Sequence, residues 1–295
     1  MSQPKENYSA KLRAKSMVYF VICIILTLIC LVPIYILIIN ATRKHVDIIS
    51  SVSFIPGSNL AANVKKLLND PMFQFDPFIG FKNSAIIAVG STVLSVFFSA
   101  LTAYGLVVYD FKLRGPAYTF ILVVMMVPMQ VTSVGFLQFM IKLGLSDSFI
   151  PLIVPTIAAP AIVFFMRQYL KSSFPLDIVE AARIDGCGEF RTFLTIAIPM
   201  MKPAIAVQAI FAFIQNWNNF YQPSMILVSR KFEQITMPMM INMLKSNDKI
   251  ADYGVIYAGI ALSIIPVVVI YLLLSRFIVE GVALGGVKAV SYTHL

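Results

Sequence analysis

Six stretches of this chain run for at least 19 residues without an Asp, Glu, Lys, Arg or His: 17–40, 83–109, 115–141, 148–166, 203–229 and 253–275. No other feature limits the fold as strongly. A hydrocarbon layer about 30 Å thick is crossed by roughly 20 helical residues, each adding about 1.5 Å. A spanning strand would need only about 10 residues and would alternate apolar with polar; these runs do not alternate. The sequence therefore predicts an all-α, polytopic membrane protein with six transmembrane helices. Charged residues make up 13% of the chain, against about 25% in soluble domains, which agrees.

The first run has 24 residues, too long for the apolar core of a secretory signal, and no small-x-small cleavage site follows it. It reads as a retained helix. With six spans, both termini share one side of the membrane. That side receives 1–16, 110–114, 167–202 and 276–295, and with them Lys5, Lys11, Arg13, Lys15, Lys112, Arg114, Arg167, Lys171, Arg183, Arg191, Lys202, Arg276 and Lys288, 13 of the 23 Lys and Arg residues. The remaining 10 lie in longer loops near 41–82, 142–147 and 230–252. Lys and Arg concentrate in short cytoplasmic loops. Residues 1–16 are thus expected to be a cytoplasmic tail, 174–202 a cytoplasmic loop and 17–289 one transmembrane domain. Because the net charge of +9 is spread over such loops, with no basic block among aromatics, a nucleic-acid partner is not expected. Cys23, Cys30 and Cys187 form no CxxC or metal-ligand set.

Two loops on the other side carry patterns. In "SNLAANVKKLLN" (58–69), Ser58 can cap a short helix with Leu60, Val64, Leu67 and Leu68 at helical spacing. The segment "ITMPMMINML" within 230–252 is apolar and Met-rich, but too short to span. Met237 and Met240 there either contact a partner or pack on the chain's own helices. The last residues, 290–295, continue no earlier pattern and are set aside as a possible foreign tail.

The loop 174–202 contains "EAARIDGCGEFRTFLTIAIP". Pro175 breaks the preceding helix and can open a new one. Leu176, Val179 and Ala182 then give a small amphipathic helix with Asp177 in its first turn, where the helix dipole favours an acid. Glu180 and Arg183 stand one turn apart and can pair. Gly186 falls where a left-handed cap is expected. A second helical stretch, with Phe190, Phe193, Leu194 and Ile198 on its apolar face, runs to Pro199, and Pro203 opens the fifth span. Glu180, Asp185 and Glu189 have no His, nucleophile or metal-ligand spacing beside them, so a solvated loop and a docking elbow are both better readings than a catalytic site.

That stretch resembles the EAA loop of the permease subunits of bacterial ABC importers: Glu-Ala-Ala, an Asp-Gly after two residues, and a terminal Ile-x-x-Pro. "FKNSAIIAVGSTVLSVFFSALTAYGL", "FKLRG", "FIQNWNNFYQPSMIL" and "EGVALGGVKA" resemble the carbohydrate branch, in particular the smaller six-span partner of maltose-type pairs. The likeness covers about residues 15–289; Cys187 stands where the family commonly has Ala. It implies a type I importer permease in the bacterial plasma membrane, with both termini cytoplasmic. Its expected partners are a second homologous permease, two cytoplasmic ATPase subunits, an extracellular solute-binding protein, membrane lipid, and a sugar or oligosaccharide substrate. It further implies that Glu180, Ala181, Ala182, Arg183, Asp185 and Gly186 couple the spans to the ATPase, with small Ala181 and Ala182 letting the helix seat deeply. No G-x-x-x-x-G-K-[ST] occurs, so ATP and Mg are assigned to the partner and no cofactor to this chain.

The six runs hold no Asp, Glu, Lys, Arg or His, which weighs against an ion-coupled carrier. In the fifth, Gln215, Asn218, Asn219 and Gln222 are spaced to form a polar stripe on one helical face, with Trp217 and Tyr221 beside it. Amides in hydrocarbon need partners. They either bond neighbouring helices or line a wet path for a neutral polyhydroxylated solute. Gln130 and Gln138 are secondary candidates, and Pro33, Pro128, Pro151, Pro155, Pro160 and Pro266 are expected to shape kinks.

Overall fold

The structure is a computed structural model that describes residues 5–229, 231–246 and 252–286. The expected foreign tail, 290–295, lies outside them. Among the described residues every regular element is helical. The first run lies within α1 (Lys5–Ala41), which starts inside the stretch expected to be a tail; from Lys5 onward the helix simply continues. A short α2 (His45–Ser50) and then α3 (Leu60–Asn69) follow. α3 is the helix expected from 58–69, but it is flanked by Asn59 rather than Ser58, and no side chain caps it.

The second run forms α4 (Pro77–Val108). Its first turn is fixed by Pro77 and by the Asp76 carboxylate, which accepts from the Phe78 and Ile79 amides. Pro128 splits the third run into α5 (Arg114–Met125) and α6 (Met129–Lys142), set 96° apart. The fourth begins with α7 (Ile150–Ile153) and a 3-10 turn, then straightens into α8 (Pro160–Ser173). α9 (Asp177–Ile184), α10 (Glu189–Thr192), a π turn at Phe193–Ala197 and α11 (Ile198–Met200) make up the charged loop. The fifth run supplies α12 (Lys202–Trp217) and α13 (Tyr221–Ile226), and the chain ends in α14 (Met237–Ser246) and α15 (Tyr253–Gly286). Lys15–Ala41, Pro71–Val108, Ile150–Ser173 and Tyr253–Ser275 are each long and apolar enough to cross a membrane. By length and composition the number rises to as many as six, with the bent pair α5 and α6 as one further span and, from the pair Glu189–Met200 and α12, the α12 half as the other, Glu189–Met200 belonging to the charged loop.

The chain divides into two compact units, residues 1–75 with 243–262 and residues 76–242 with 263–295. In the first, the end of α1 is closed by side chains. Asn63 of α3 donates from Nδ2 to the carbonyls of Ala41 (2.8 Å) and Arg43 (2.9 Å), two acceptors a helix end leaves open. Arg43, only 7% exposed, donates to the carbonyls of Ser51 (2.9 Å) and Asp47 (2.6 Å) and to Asn40 Oδ1 (3.3 Å). Its charge also suits the C-terminal end of α1. Asp252 accepts from the Gly254 and Val255 amides at the start of α15 and pairs with Lys66 at 2.8 Å.

The second unit is built on α4, which packs against α8 and α12. Its buried face is a line of small residues, among them Ser84, Ala88, Ser91, Ser95, Ser99, Ala100 and Ala103, which lets neighbouring backbones approach closely. Prolines 151, 155 and 160 interrupt the segment opposite, and α4 serines bond carbonyls there. Ser91 Oγ donates to Leu152 O at 3.1 Å and Ser99 Oγ to Ala159 O at 3.4 Å. Near Val107 the core gathers Tyr104, Leu170, Phe174, Val179, Phe193 and Met201. This cluster carries the charged loop.

Candidate functional site

The loop 174–202 folds as the expected elbow. α9 ends in a Schellman motif: Gly186 N–H donates to Arg183 O (3.0 Å) and Cys187 N–H to Ala182 O (2.9 Å). Gly186 has φ +75°, and nothing lies within 4 Å of where a Cβ would stand, so the glycine is required by conformation and not by crowding. Val179 and Ala182 face inward and are buried, with Phe193 from the elbow's second half. Ala182 therefore packs on the chain's own core, and of the two alanines expected to seat the helix only Ala181 is exposed, beside Glu180, Asp185 and Gly186.

The exposed side of the elbow is unexpectedly apolar. Ile184 is 86% exposed and Phe190 59%, with Ile178, Leu176 and Leu194 also at the surface. Ile184 was not singled out from the sequence, although its signal is there. Ile178, Ala181 and Ile184 recur at every third residue, out of phase with the inward Val179–Ala182 face, so this eight-residue helix is apolar on two sides.

Arg183 does not pair with Glu180. It crosses the glycine turn to Glu189, Nε to Oε1 at 2.8 Å and Nη2 to Oε2 at 3.3 Å. The i, i+3 spacing is a rule for one helix, and the turn at Gly186 brings a better-placed acid to the same guanidinium. The Tyr109 hydroxyl, at the end of α4, donates to Glu189 Oε2 at 2.6 Å, and the Arg183 guanidinium lies 5.7 Å from the Tyr109 ring centre. Arg183 first and the Tyr109 hydroxyl second hold the Glu189 carboxyl below its ordinary pKa. Glu189, in turn, raises that of Arg183.

The amide stripe is not one helical face. α12 stops at Trp217, and Gln222 sits on α13, with Asn218 and Asn219 in the break between them. Asn219 produces the restart: its Oδ1 accepts from the Gln222 amide (3.2 Å) while its Nδ2 donates to Gln222 Oε1 (2.8 Å). Two of the four amides therefore bond each other, while Gln215 and Asn218 are exposed. Tyr221 shares a 2.9 Å hydrogen bond with Ser133 of α6, placing the break in the fifth run beside the helix that follows the break in the third. Trp217 is buried, stacked on Phe213 and Phe81, and its Nε1 donates to Ser263 O at 3.0 Å. It is a packing residue. Gln130 and Gln138 are exposed on α6.

Met237 and Met240 are buried, at 0% and 1% exposure, and meet Gly80 of α4. The Met237 amide donates to Ser84 Oγ at 2.9 Å, and Asn83 Nδ2 donates to the carbonyls of Glu233 and Ile235. Of the two readings of this Met-rich segment, packing on the chain's own helices is the one these side chains adopt; a partner meeting it would not touch them first. Among the described residues no cluster of His, Cys, Asp and Glu could hold a metal ion.

Comparison with known proteins gives a consistent picture. The profile of the family described as "Binding-protein-dependent transport system inner membrane component" matches residues 95–283. The arabinooligosaccharides transport system permease protein AraQ of Bacillus subtilis (strain 168) is 35% identical, over 89% of this chain and 92% of its own. The lactose transport system permease protein LacG of Rhizobium radiobacter is 33% identical over 73% and 77%. The sn-glycerol-3-phosphate transport system permease protein UgpE of Pectobacterium atrosepticum is 28% identical over 88% and 93%. A chain in the crystal structure of a bacterial ABC transporter involved in the import of the acidic polysaccharide alginate shares the fold, with a TM-score of 0.69 at 22% identity, covering 94% of this chain and 98% of that one.

Proposed function

The chain belongs to the family of binding-protein-dependent transport system inner membrane components, and on that premise we propose that it is the smaller permease of an ATP-driven importer for a sugar or oligosaccharide. It pairs with a homologous permease and receives solute from an extracellular binding protein. Two cytoplasmic ATPase subunits drive it, holding the ATP and Mg. Its termini and the loop 174–202 are cytoplasmic.

The observation that carries this reading is the elbow. A short helix anchored inward by Val179 and Ala182 exposes Ile178, Ala181 and Ile184 outward, at the tip of an otherwise charged loop. An apolar outward face on a polar loop is a docking surface, and the resemblance to the EAA loop names its occupant as the ATPase. The sugar assignment rests on the arabinooligosaccharide and lactose relatives. It agrees with six apolar runs that hold neutral amides and hydroxyls and no Asp, Glu, Lys, Arg or His. The sn-glycerol-3-phosphate relatives support a second reading, the same machine for a phosphorylated polyol.

One experiment addresses both parts. The permease is co-expressed with its genomic neighbours, and uptake is followed with labelled arabino-oligosaccharides, lactose and glycerol 3-phosphate. Ile184→Asp should abolish co-purification of the ATPase and uptake of every solute while leaving permease abundance unchanged. Retention of the ATPase by Ile184→Asp would remove the elbow as its dock. Uptake of glycerol 3-phosphate alone would replace the sugar reading.

A further inference from the structure

Three elements of the second unit converge on one carboxylate. Glu189 opens the second half of the elbow, Arg183 closes the first half, and Tyr109 ends α4. The geometry points to a latch: Tyr109 and Glu189 are positioning residues that lock the elbow to α4, so that the two turn as one body when the ATPase subunits close. The inference rests on the reading that 174–202 seats on the ATPase, and it specifies how motion leaves that seat.

The remaining anchors of the elbow do not fix its angle to α4. Val179, Ala182 and Phe193 are held by apolar packing, which has no preferred direction, and the Tyr169 hydroxyl, which donates to Met200 O at 3.2 Å, ties the far end of the elbow to α8 instead. Gly186 is a natural hinge, at φ +75° with open space around it, and nothing but the Arg183–Glu189 pair bridges its two sides by a side-chain ion pair among the described residues. The directional bonds that tie this bridged turn to α4 end on the Tyr109 hydroxyl.

Tyr109 is itself well held. Its amide donates to Gly105 O, its carbonyl accepts from Arg114 Nη1 at 3.4 Å, and its ring meets Tyr104 edge-on at 6.1 Å. Tyr104 in turn packs on Phe174 and Phe193, one at the root of each half of the elbow. A torque on α9 therefore passes through Arg183, Glu189 and Tyr109 into α4, the helix against which α8 and α12 pack.

Pulsed electron-resonance distances test this without a known substrate. In the complete complex in nanodiscs, Cys23, Cys30 and Cys187 are replaced by Ser and spin labels are placed at Val93→Cys on α4 and Thr195→Cys on the elbow. Both positions are exposed. The wild-type distance should be narrow and the same in the nucleotide-free and vanadate-trapped states. Tyr109→Phe, which deletes one hydroxyl, should broaden it about twofold, since the hub loses its hydrogen bond to the end of α4, while ATPase co-purification stays at the wild-type level. Adding Tyr109→Phe to Glu189→Gln should change nothing further, as expected for groups acting as one unit. A wild-type distance that shifts between states, or a Tyr109→Phe distribution as narrow as wild type, would overturn the latch. A wild-type complex whose ATPase does not depend on the elbow, judged by Ile184→Asp, would overturn the underlying reading instead.

Discussion

The two places where this apolar chain gathers polar groups, the joint around Arg43 and the elbow at 177–200, are made in opposite ways. At the first, Asn63 and Arg43 are buried and bond mostly to backbone carbonyls. Gly254 passes so close that a Cβ there would stand 2.6 Å from the Arg43 carbonyl and 2.7 Å from Asn63 Nδ2. At the elbow the groups are exposed, bond side chain to side chain, and surround a glycine with nothing near it. Buried polar groups with fixed backbone partners are costly to disturb, whereas exposed ion pairs are weak individually. The first arrangement makes a joint that stays shut. The second makes one that stands at the surface, where a partner can load it.

The sharpest way to separate them is a single methyl group. Gly254→Ala should cost about 3 kcal/mol, because backbone atoms cannot make room as a flexible side chain would. The readouts are permease abundance in the membrane and the thermal transition of the detergent-solubilised chain; both should fall. Gly186→Val should cost less, about 1–2 kcal/mol, since the penalty is the left-handed backbone alone. Its abundance should hold while ATPase co-purification and ATP-driven uptake collapse. If Gly186→Val depletes the protein as Gly254→Ala does, the contrast between a structural and a loaded joint fails.

The smallest effect is one of pH. Because the folded-state pKa of Glu189 is lowered, its contribution is complete above the ordinary carboxylate pKa of about 4.3 and is lost as pH falls through the lower, folded value. Between pH 7 and pH 5 the elbow should resist limited proteolysis at the Gly186 turn to the same degree. Below about pH 4 cleavage should rise, and Glu189→Gln should show the faster cleavage between pH 7 and pH 5, with the two proteins converging as the wild-type carboxylate becomes protonated. A wild-type profile that changes between pH 7 and pH 5 would point to another group.

The contrast also explains what could be read from the sequence. Spans, the proline break at 128 and the capping glycine at 186 are local: a run length, a missing donor and a required φ each leave a mark within a few residues. Glu189 as the partner of Arg183 was hidden, because that contact exists only after the turn has formed. The break after Trp217 is announced only by Pro223, whose missing N–H and ring leave no place for a helical bond to the Asn219 carbonyl; Asn219 then restarts the chain by bonding forward to Gln222, where helical spacing alone suggests a continuous stripe. The Arg43 joint was invisible for a plainer reason. Its pieces, Arg43, Asn63 and Gly254, are brought together by tertiary structure, and no periodicity links positions so far apart.

From Met17 to Ile34 every side chain of α1 is exposed, and the side-chain hydrogen bond found there, Thr27 Oγ1 to Cys23 O, is made within the helix; only at Tyr35 does a hydroxyl reach forward, to Phe54 O at 2.6 Å. Up to that point the helix asks nothing of the residues that follow it. As the nascent chain leaves the ribosome, α1 can settle among lipids on its own, before any other span exists. α12 differs: the indole of Trp217 waits for the carbonyl of Ser263, made 46 residues later. Biogenesis of this protein therefore includes a segment that is finished at once and a later one that finishes its predecessors, so a truncation before α15 leaves a stalled intermediate with an unsatisfied indole for membrane quality control to find.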